Sequence, residues 1–177
     1  SDLPDAPNND GNGTPPEMPD GNMPSGDMPS GDMPEMPSGD MNAPDGAGFE
    51  EAAEERQILE RIVEAEAGDQ DLEGRILVAN VILNRVHSKH FPDTIKGVVF
   101  ANRAGRYQFS PVSNGRYYRV TVSDKTKRAV KQALAGKDIS KGALYFMCRS
   151  ASDPKNVAWF DRDLTKVAQH GCHEFFK

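Results

Sequence analysis

Between residues 71 and 88 the chain reads DLEGRILVANVILNRVHS. Wound as a helix, Ile76, Leu77, Val78, Val81, Ile82 and Leu83 cover nearly its whole circumference. A surface helix needs one apolar stripe, so a helix apolar on almost every side belongs at the centre of a domain, with other elements packed around it. Its polar residues Asn80 and Asn84 stand one turn apart and share a face.

The neighbours that can surround this helix follow from periodicity. Residues 50–66 form a helix with Ile58, Leu59, Ile62 and Val63 inward and Glu and Arg outward, ended by Gly68. TIKGVVFA at 94–101 predicts a short helix, and residues 124–134 a longer one, capped by Ser123 and stopped by Gly136. ALYFMC at 143–148, VAWF at 157–160 and the closing HEFFK read as strands. Helices first and strands last predict an α+β domain, mainly helical with a small antiparallel sheet near the C-terminus.

Residues 1–48 take no part in that core. They hold ten of the 13 prolines and six of the seven methionines, with no Lys, Arg or aromatic residue. MPSGD occurs three times, at Met23–Asp27, Met28–Asp32 and Met36–Asp40. Such a composition favours a solvated chain, so residues 1–48 are expected to be a disordered spacer and residues 49–177 the folded domain. Carboxylates about five residues apart do not converge on a cation as a dense loop of oxygen ligands does.

Setting the spacer aside reverses the charge. The whole chain is formally −6, but residues 49–177 carry 17 acids and 21 bases, a net +4. A mildly basic domain suits an anionic polymer such as bacterial cell wall as well as nucleic acid. Interleaved aromatic and basic residues of an RNA-binding sheet and a helix-turn-helix signature are both missing, so no nucleic-acid partner is expected. The longest apolar run, ILVANVIL, is interrupted by Asn80 and too short to span a bilayer. The chain starts at Ser1, as an exported protein trimmed of its signal peptide would and as a shortened fragment would.

Cys148 and Cys172 are the two cysteines, either a disulfide or two partly buried thiols. HGCHEF places His170, Cys172 and His173 within four residues. Zinc sites draw on two separated pairs of ligands, so this cluster reads as a strand end and no metal is expected.

One residue breaks the apolar pattern. Glu66 falls four residues after Ile62 and eight after Ile58, at the end of the inward stripe and of its helix. The negative end of the helix dipole and apolar neighbours both disfavour ionisation. A carboxyl group kept protonated there is suited to protonating a leaving oxygen, as glycoside cleavage requires. The same position also fits a solvated carboxylate at a helix end, or one paired with Arg61 or Arg85.

The segments IVEAEAGDQDLEGRILVANVILNRV, FPDTIKGVVF, QFSPV, GALYF and HGCHEFFK, in this order from about Arg56 to Lys177, resemble the spore-cortex-lytic cell wall hydrolase family. That resemblance implies a fold similar to goose-type lysozyme and lytic transglycosylases. It also implies cleavage of the β-1,4 bond between N-acetylmuramic acid and N-acetylglucosamine in peptidoglycan. The family motif Glu-Ala-Arg-Gly-Glu falls on Glu66, Ala67, Gly68, Asp69 and Gln70, retaining the catalytic glutamate and replacing the last three residues.

QFSPV looks like the family's substrate-lining loop: Gln108 and Ser110 are candidates to hydrogen-bond a sugar, and Tyr107 and Phe109 to line the groove. Packing of a buried Phe109 in a loop is the competing reading. Tyr145 is expected to point its hydroxyl to the cleft or else to serve as core, and Trp159 to stack on a sugar ring. Asn84 and Arg85 match the family's LNRV and are expected to be structural.

Hydrolysis would need a second carboxylate, for which Asp69 and Glu73 are candidates. A lytic transglycosylase needs a single acid/base, because the C6 hydroxyl of the muramic acid closes on C1 to give a 1,6-anhydro sugar. The resemblance favours the second route, with no cofactor, in a monomer acting outside the cell or in the wall. A module that binds the wall without cleaving it is the alternative that the altered loop suggests.

Overall fold

The computed structural model describes residues 46–103 and 105–177, and side chains within them from residue 51 onward, save that of Arg103. The MPSGD repeats and most of the expected spacer lie outside the described residues.

Helix α1 (Gly46–Ala67) and helix α2 (Leu72–Val86) are joined by a short turn. Ile58 is 6 % exposed, and Leu59, Ile62 and Val63 are completely buried, as the spacing predicts. Buried positions run around α2 from Gly74 to Ile82, so it is the central helix its composition requires. Helices α1, α3 (Ile95–Val99) and α6 (Asp124–Leu134) pack around it. Each additional start signal is present: Asp71 accepts from Gly74 N–H, Thr94 from Gly97 N–H and Ser123 from Thr126 N–H.

The two asparagines of α2 tie the central helix to the loop that follows α6. Asn80 donates to Lys137 O at 2.7 Å and accepts from Ile139 N–H at 3.0 Å; Asn84 donates to Ser140 Oγ and Ala143 O. Buried amides thus find backbone partners rather than solvent.

Between α3 and α6 lie a small hairpin, β1 (Asn102–Arg103) with β2 (Arg106–Tyr107), and two single-turn helices, α4 (Ser110–Ser113) and α5 (Arg116–Arg119). After α6 come β3 (Tyr145–Cys148), helix α7 (Pro154–Asp163), β4 (Lys166–His170) and β5 (His173–Phe176). The three strands form an antiparallel sheet in the order β3-β5-β4. A mainly helical domain with a small antiparallel sheet near the C-terminus is the expected class.

One expected strand is a helix. Residues 157–160 lie inside α7, where Asp153 accepts from Lys155 N–H at 2.8 Å and Pro154 occupies the first turn. Trp159 and Phe160 therefore sit 100° apart on a helix rather than on opposite faces of a strand, and both are buried, against Tyr145, Met147 and Phe176.

Candidate active site

Helix α1 carries a series of carboxylates, and most of them have structural partners. Glu54 pairs with Lys96, and Glu55 accepts from the Lys96 backbone N–H. Glu60 binds Arg56, and Glu64 accepts from Ser123 N–H at 3.0 Å and Thr126 Oγ1 at 2.8 Å. Glu66 stands in the last turn of α1, half-buried, with its Oε1 removed from solvent.

The chain just beyond Glu66 is held from several sides. The Arg75 guanidinium, 6 % exposed, donates to Ala67 O at 3.2 Å and to Gly68 O, satisfying carbonyls at the end of α1. Gln70 N–H donates to Ala67 O at 2.9 Å. Asp71, the cap of α2, lies with its Oδ1 2.6 Å from His170 Nε2, and Glu73 lies 3.9 Å from His170 Nδ1. The hydrogen bond from Gly74 N–H, and then His170, hold Asp71 below the usual carboxylate range. A Cβ on Gly74 would stand 2.8 Å from Gln70 Cβ and 3.1 Å from His170 Cδ2, so glycine is what lets the β4–β5 turn approach α2. His170 of HGCHEF thus meets Asp71, at the end of the turn that follows Glu66. Among the described residues no group of three or more His, Cys, Asp or Glu side chains is placed to hold a metal ion.

The QFSPV segment and the start of β3 meet across one buried cation. Arg85, at 0 % exposure, donates from Nε to Leu144 O at 2.7 Å. Its guanidinium carbon lies 4.7 Å from the ring centre of Phe91, 5.3 Å from Tyr145 and 5.6 Å from Phe109. Burial pulls its pKa down to about 10, still far enough above neutrality to keep the charge. Aromatic faces at these distances accommodate a cation withdrawn from water. Helix α4, which begins with Ser110, packs against α1, so this cluster is joined to the helix that carries Glu66.

Within that arrangement the expected contact residues separate into two kinds. Phe109 is completely buried and Tyr145 is 1 % exposed, so both rings are core. Burial raises the Tyr145 pKa against the opposing pull of Arg85, keeping the phenol neutral. Trp159 is 6 % exposed, its ring 5.7 Å from that of Tyr145 and 5.5 Å from that of Phe160. An indole packed in this way offers no open face for the expected stacking on a sugar; helix α7 turns it into the aromatic cluster. Tyr107 and Ser110 are half-buried, Gln108 is buried, and Gln108 Oε1, the Tyr145 hydroxyl and Trp159 Nε1 have no hydrogen-bond partner among the described residues. Asp69 and Glu73, the candidates for a second carboxylate, are exposed.

The sequence marks Arg75 only as a cation on an otherwise apolar helix one turn past its cap. His170 stands out there only as a member of HGCHEF; nothing in the sequence links it to Asp71, 99 residues away.

Comparisons with known proteins identify the family and the fold. Residues 69–176 match the family model described as Cell Wall Hydrolase, a span that begins three residues after Glu66. The spore cortex-lytic enzyme of Oceanobacillus iheyensis is 37 % identical over 121 residues, covering 68 % of this chain and 41 % of that protein. The spore cortex-lytic enzyme of Bacillus cereus is 34 % identical over 114 residues, covering 64 % of this chain and 42 % of its own length. The chain therefore spans about two fifths of the length of these curated relatives. Among solved structures, the catalytic domain of the germination-specific lytic transglycosylase SleB from Bacillus anthracis matches with a TM-score of 0.60 at 33 % identity, over 70 % of this chain and 93 % of that one. The catalytic domain of the Bacillus cereus SleB protein matches with a TM-score of 0.61 at 32 % identity, over 79 % of this chain and 99 % of that one. The fold is lysozyme-like, and with a family model matched over more than half its length this chain belongs to the cell wall hydrolase family.

Proposed function

We propose that this domain degrades peptidoglycan by cleaving the β-1,4 bond between N-acetylmuramic acid and N-acetylglucosamine, with Glu66 as acid and then base. The observation that carries the reading is the setting of Glu66: a helix-terminal carboxylate with one oxygen withdrawn from water, on the helix against which the α4 end of QFSPV packs, in a member of the cell wall hydrolase family. The Glu66 proton goes to the glycosidic oxygen as the bond to C1 breaks. The resulting carboxylate then takes the proton of the muramic acid C6 hydroxyl while that oxygen bonds to C1, and the 1,6-anhydro ring closes without water.

Two observations support a transglycosylase over a two-carboxylate hydrolase. The side chains of Asp71 and Glu73 are 63 % and 70 % exposed and turned to His170, and Asp69 is exposed as well. A nucleophile supplied by the substrate leaves no role for a second acid. A structural relative of this chain is itself described as a lytic transglycosylase.

Tyr107, Gln108 and Ser110 are the proposed sugar contacts, with Phe109 and Tyr145 as the packed support beneath them. The orphaned Gln108 Oε1 and Tyr145 hydroxyl each carry an uncompensated desolvation of roughly 1–3 kcal/mol, which sugar hydroxyls or acetamido groups would relieve on a small side-chain adjustment. The substrate is an anionic polymer, matching the +4 of residues 49–177. The proposed substrate would be met at the cell wall.

Digestion of purified peptidoglycan tests the proposal. The expected products are soluble muropeptides whose muramyl ends are one water lighter than hydrolysed ends and resist borohydride. Reducible ends, together with an Asp69→Asn variant as inactive as Glu66→Gln, would replace the transglycosylase by a muramidase. Binding to the wall with no fragments released would leave only a recognition module.

A further inference from the structure

The turn between β4 and β5 brings together two thiols for which the cleavage reaction has no use. Cys148 ends β3 and is paired across the ladder with His173, and Cys172 is the residue just before His173. The two cysteines are diagonal neighbours at one end of the sheet, near enough for each thiol to perturb the titration of the other. Both are free thiols, Cys148 half-buried and Cys172 exposed. Ser150 Oγ lies 3.5 Å from Cys148 Sγ.

The two sulfurs are chemically unequal. Burial disfavours the Cys148 thiolate, but hydrogen bonds with Cys172, Ser150 and the backbone at 150–151 together bring its pKa below the usual thiol value. Burial, reinforced by Cys148 and by the charge of Asp69, pushes Cys172 up to about 11. Cys148, at the N-terminal end of the 149–151 turn with Ser150 Oγ 3.5 Å from its sulfur, is the thiol placed to attack, and Cys172 the one placed to resolve, the division of labour found in thiol–disulfide exchange.

We propose that Cys148 and Cys172 are a redox-active dithiol that closes to an intramolecular disulfide by exchange with a disulfide-bearing donor. The Cys148 thiolate attacks one donor sulfur, forming a mixed disulfide and expelling the other donor sulfur as a thiolate. Cys172 then loses its proton to that thiolate or to solvent and attacks Cys148 Sγ; the Cys148–Cys172 bond forms and the second donor sulfur leaves. Two protein thiols are oxidised and one donor disulfide is reduced to two thiols.

The bond locks a contact that matters for the site. The turn that carries Cys172 also carries His170, which meets Asp71, and Gly171, at φ +58°, where a Cβ would stand 3.0 Å from Gln70 Oε1. Fastening β3 to this turn, across a sequence separation of 24 residues, restrains the unfolded chain and fixes the clasp over the segment that follows Glu66. None of this depends on which glycan bond is cut.

The test uses the full chain, reduced and then incubated with oxidised glutathione, quenched with an alkylating agent and weighed intact. The expected product is lighter by two hydrogens, takes no alkyl group, and yields a Cys148–Cys172 linked peptide. Its melting temperature should rise by roughly 10 °C over the reduced protein, the gain vanishing with dithiothreitol. Cys172→Ser should retain one glutathione on Cys148 and show no gain. Cys148→Ser should react at least about tenfold more slowly than Cys172→Ser. Two alkylated thiols, glutathione resting on both sulfurs, or a disulfide-linked dimer would overturn the dithiol; a linked peptide with an unchanged melting temperature would overturn the lock, and equal rates in the two variants would overturn Cys148 as the attacking sulfur.

Discussion

Glu64 and Glu66 are two residues apart on one helix and have different surroundings. Glu64 faces Ser123 and Thr126 and closes the start of α6, so its carboxylate is absorbed by structure. Glu64→Ala should lower stability by roughly 2 kcal/mol in denaturant melts while leaving turnover per folded molecule unchanged. The conservative change Glu66→Gln should do the reverse, abolishing fragment release with the melting temperature intact, because it removes the transferable proton and little else. If the two variants behaved alike, the assignment of roles along α1 would be wrong. His173 provides a pH readout. Burial holds its pKa below the ordinary 6.5, with Asp69 pulling upward and His170 adding to the depression. The unfolded chain then binds the proton that the folded protein refuses, so the stability tied to neutral His173 is complete above pH 6.5 and is lost as the pH falls below it. His173→Phe should flatten the melting-temperature profile just below pH 6.5; an unchanged slope would show that other groups set it.

Among the elements, α7 shows how a local signal can be outvoted by an apolar run. VAWF was short, apolar and aromatic, and such a run fits a buried strand and a buried helix equally well. Asp153 and Pro154, a cap followed by a first-turn proline, were present four residues upstream and settle the matter in the structure. Asp153→Ala should therefore cost about 1 kcal/mol, measured by chemical denaturation. No change would mean that tertiary packing of Trp159 and Phe160, rather than the cap, holds the helix. The long helices were legible because 3.6-residue periodicity and caps agreed. The hairpin β1–β2 and the single-turn helices α4 and α5 were not, since elements of two to four residues are too short to show a period.

At the scale of the molecule, the described residues form one helical core with a sheet fastened to its edge. Arg149 links that sheet to α7, its guanidinium reaching Asp161 Oδ1 and Oδ2 at 2.9 Å and Glu174 at 3.0 Å. Residues 1–45 bring nothing apolar enough to join this core beyond scattered methionines and prolines. Removing them should leave the melting temperature of the remainder within about 1 °C of the full chain. A fall of several degrees would show that the segment packs on the domain and that the division near residue 48 is misplaced.

The sequence alone determined that a helix apolar on all sides lies at the centre, that further helices lie near 50–66, 94–101 and 124–134, and that a carboxylate ends the inward face of α1. Each of those follows from periodicity, caps and burial, which act over a few residues. Only the tertiary structure decided that Trp159 and Phe109 belong to the core, that Arg85 joins the QFSPV segment to β3, and that His170 closes on Asp71. Those depend on which surfaces meet across tens of residues, and apolar or aromatic character specifies that a side chain leaves water without specifying the neighbour it finds there.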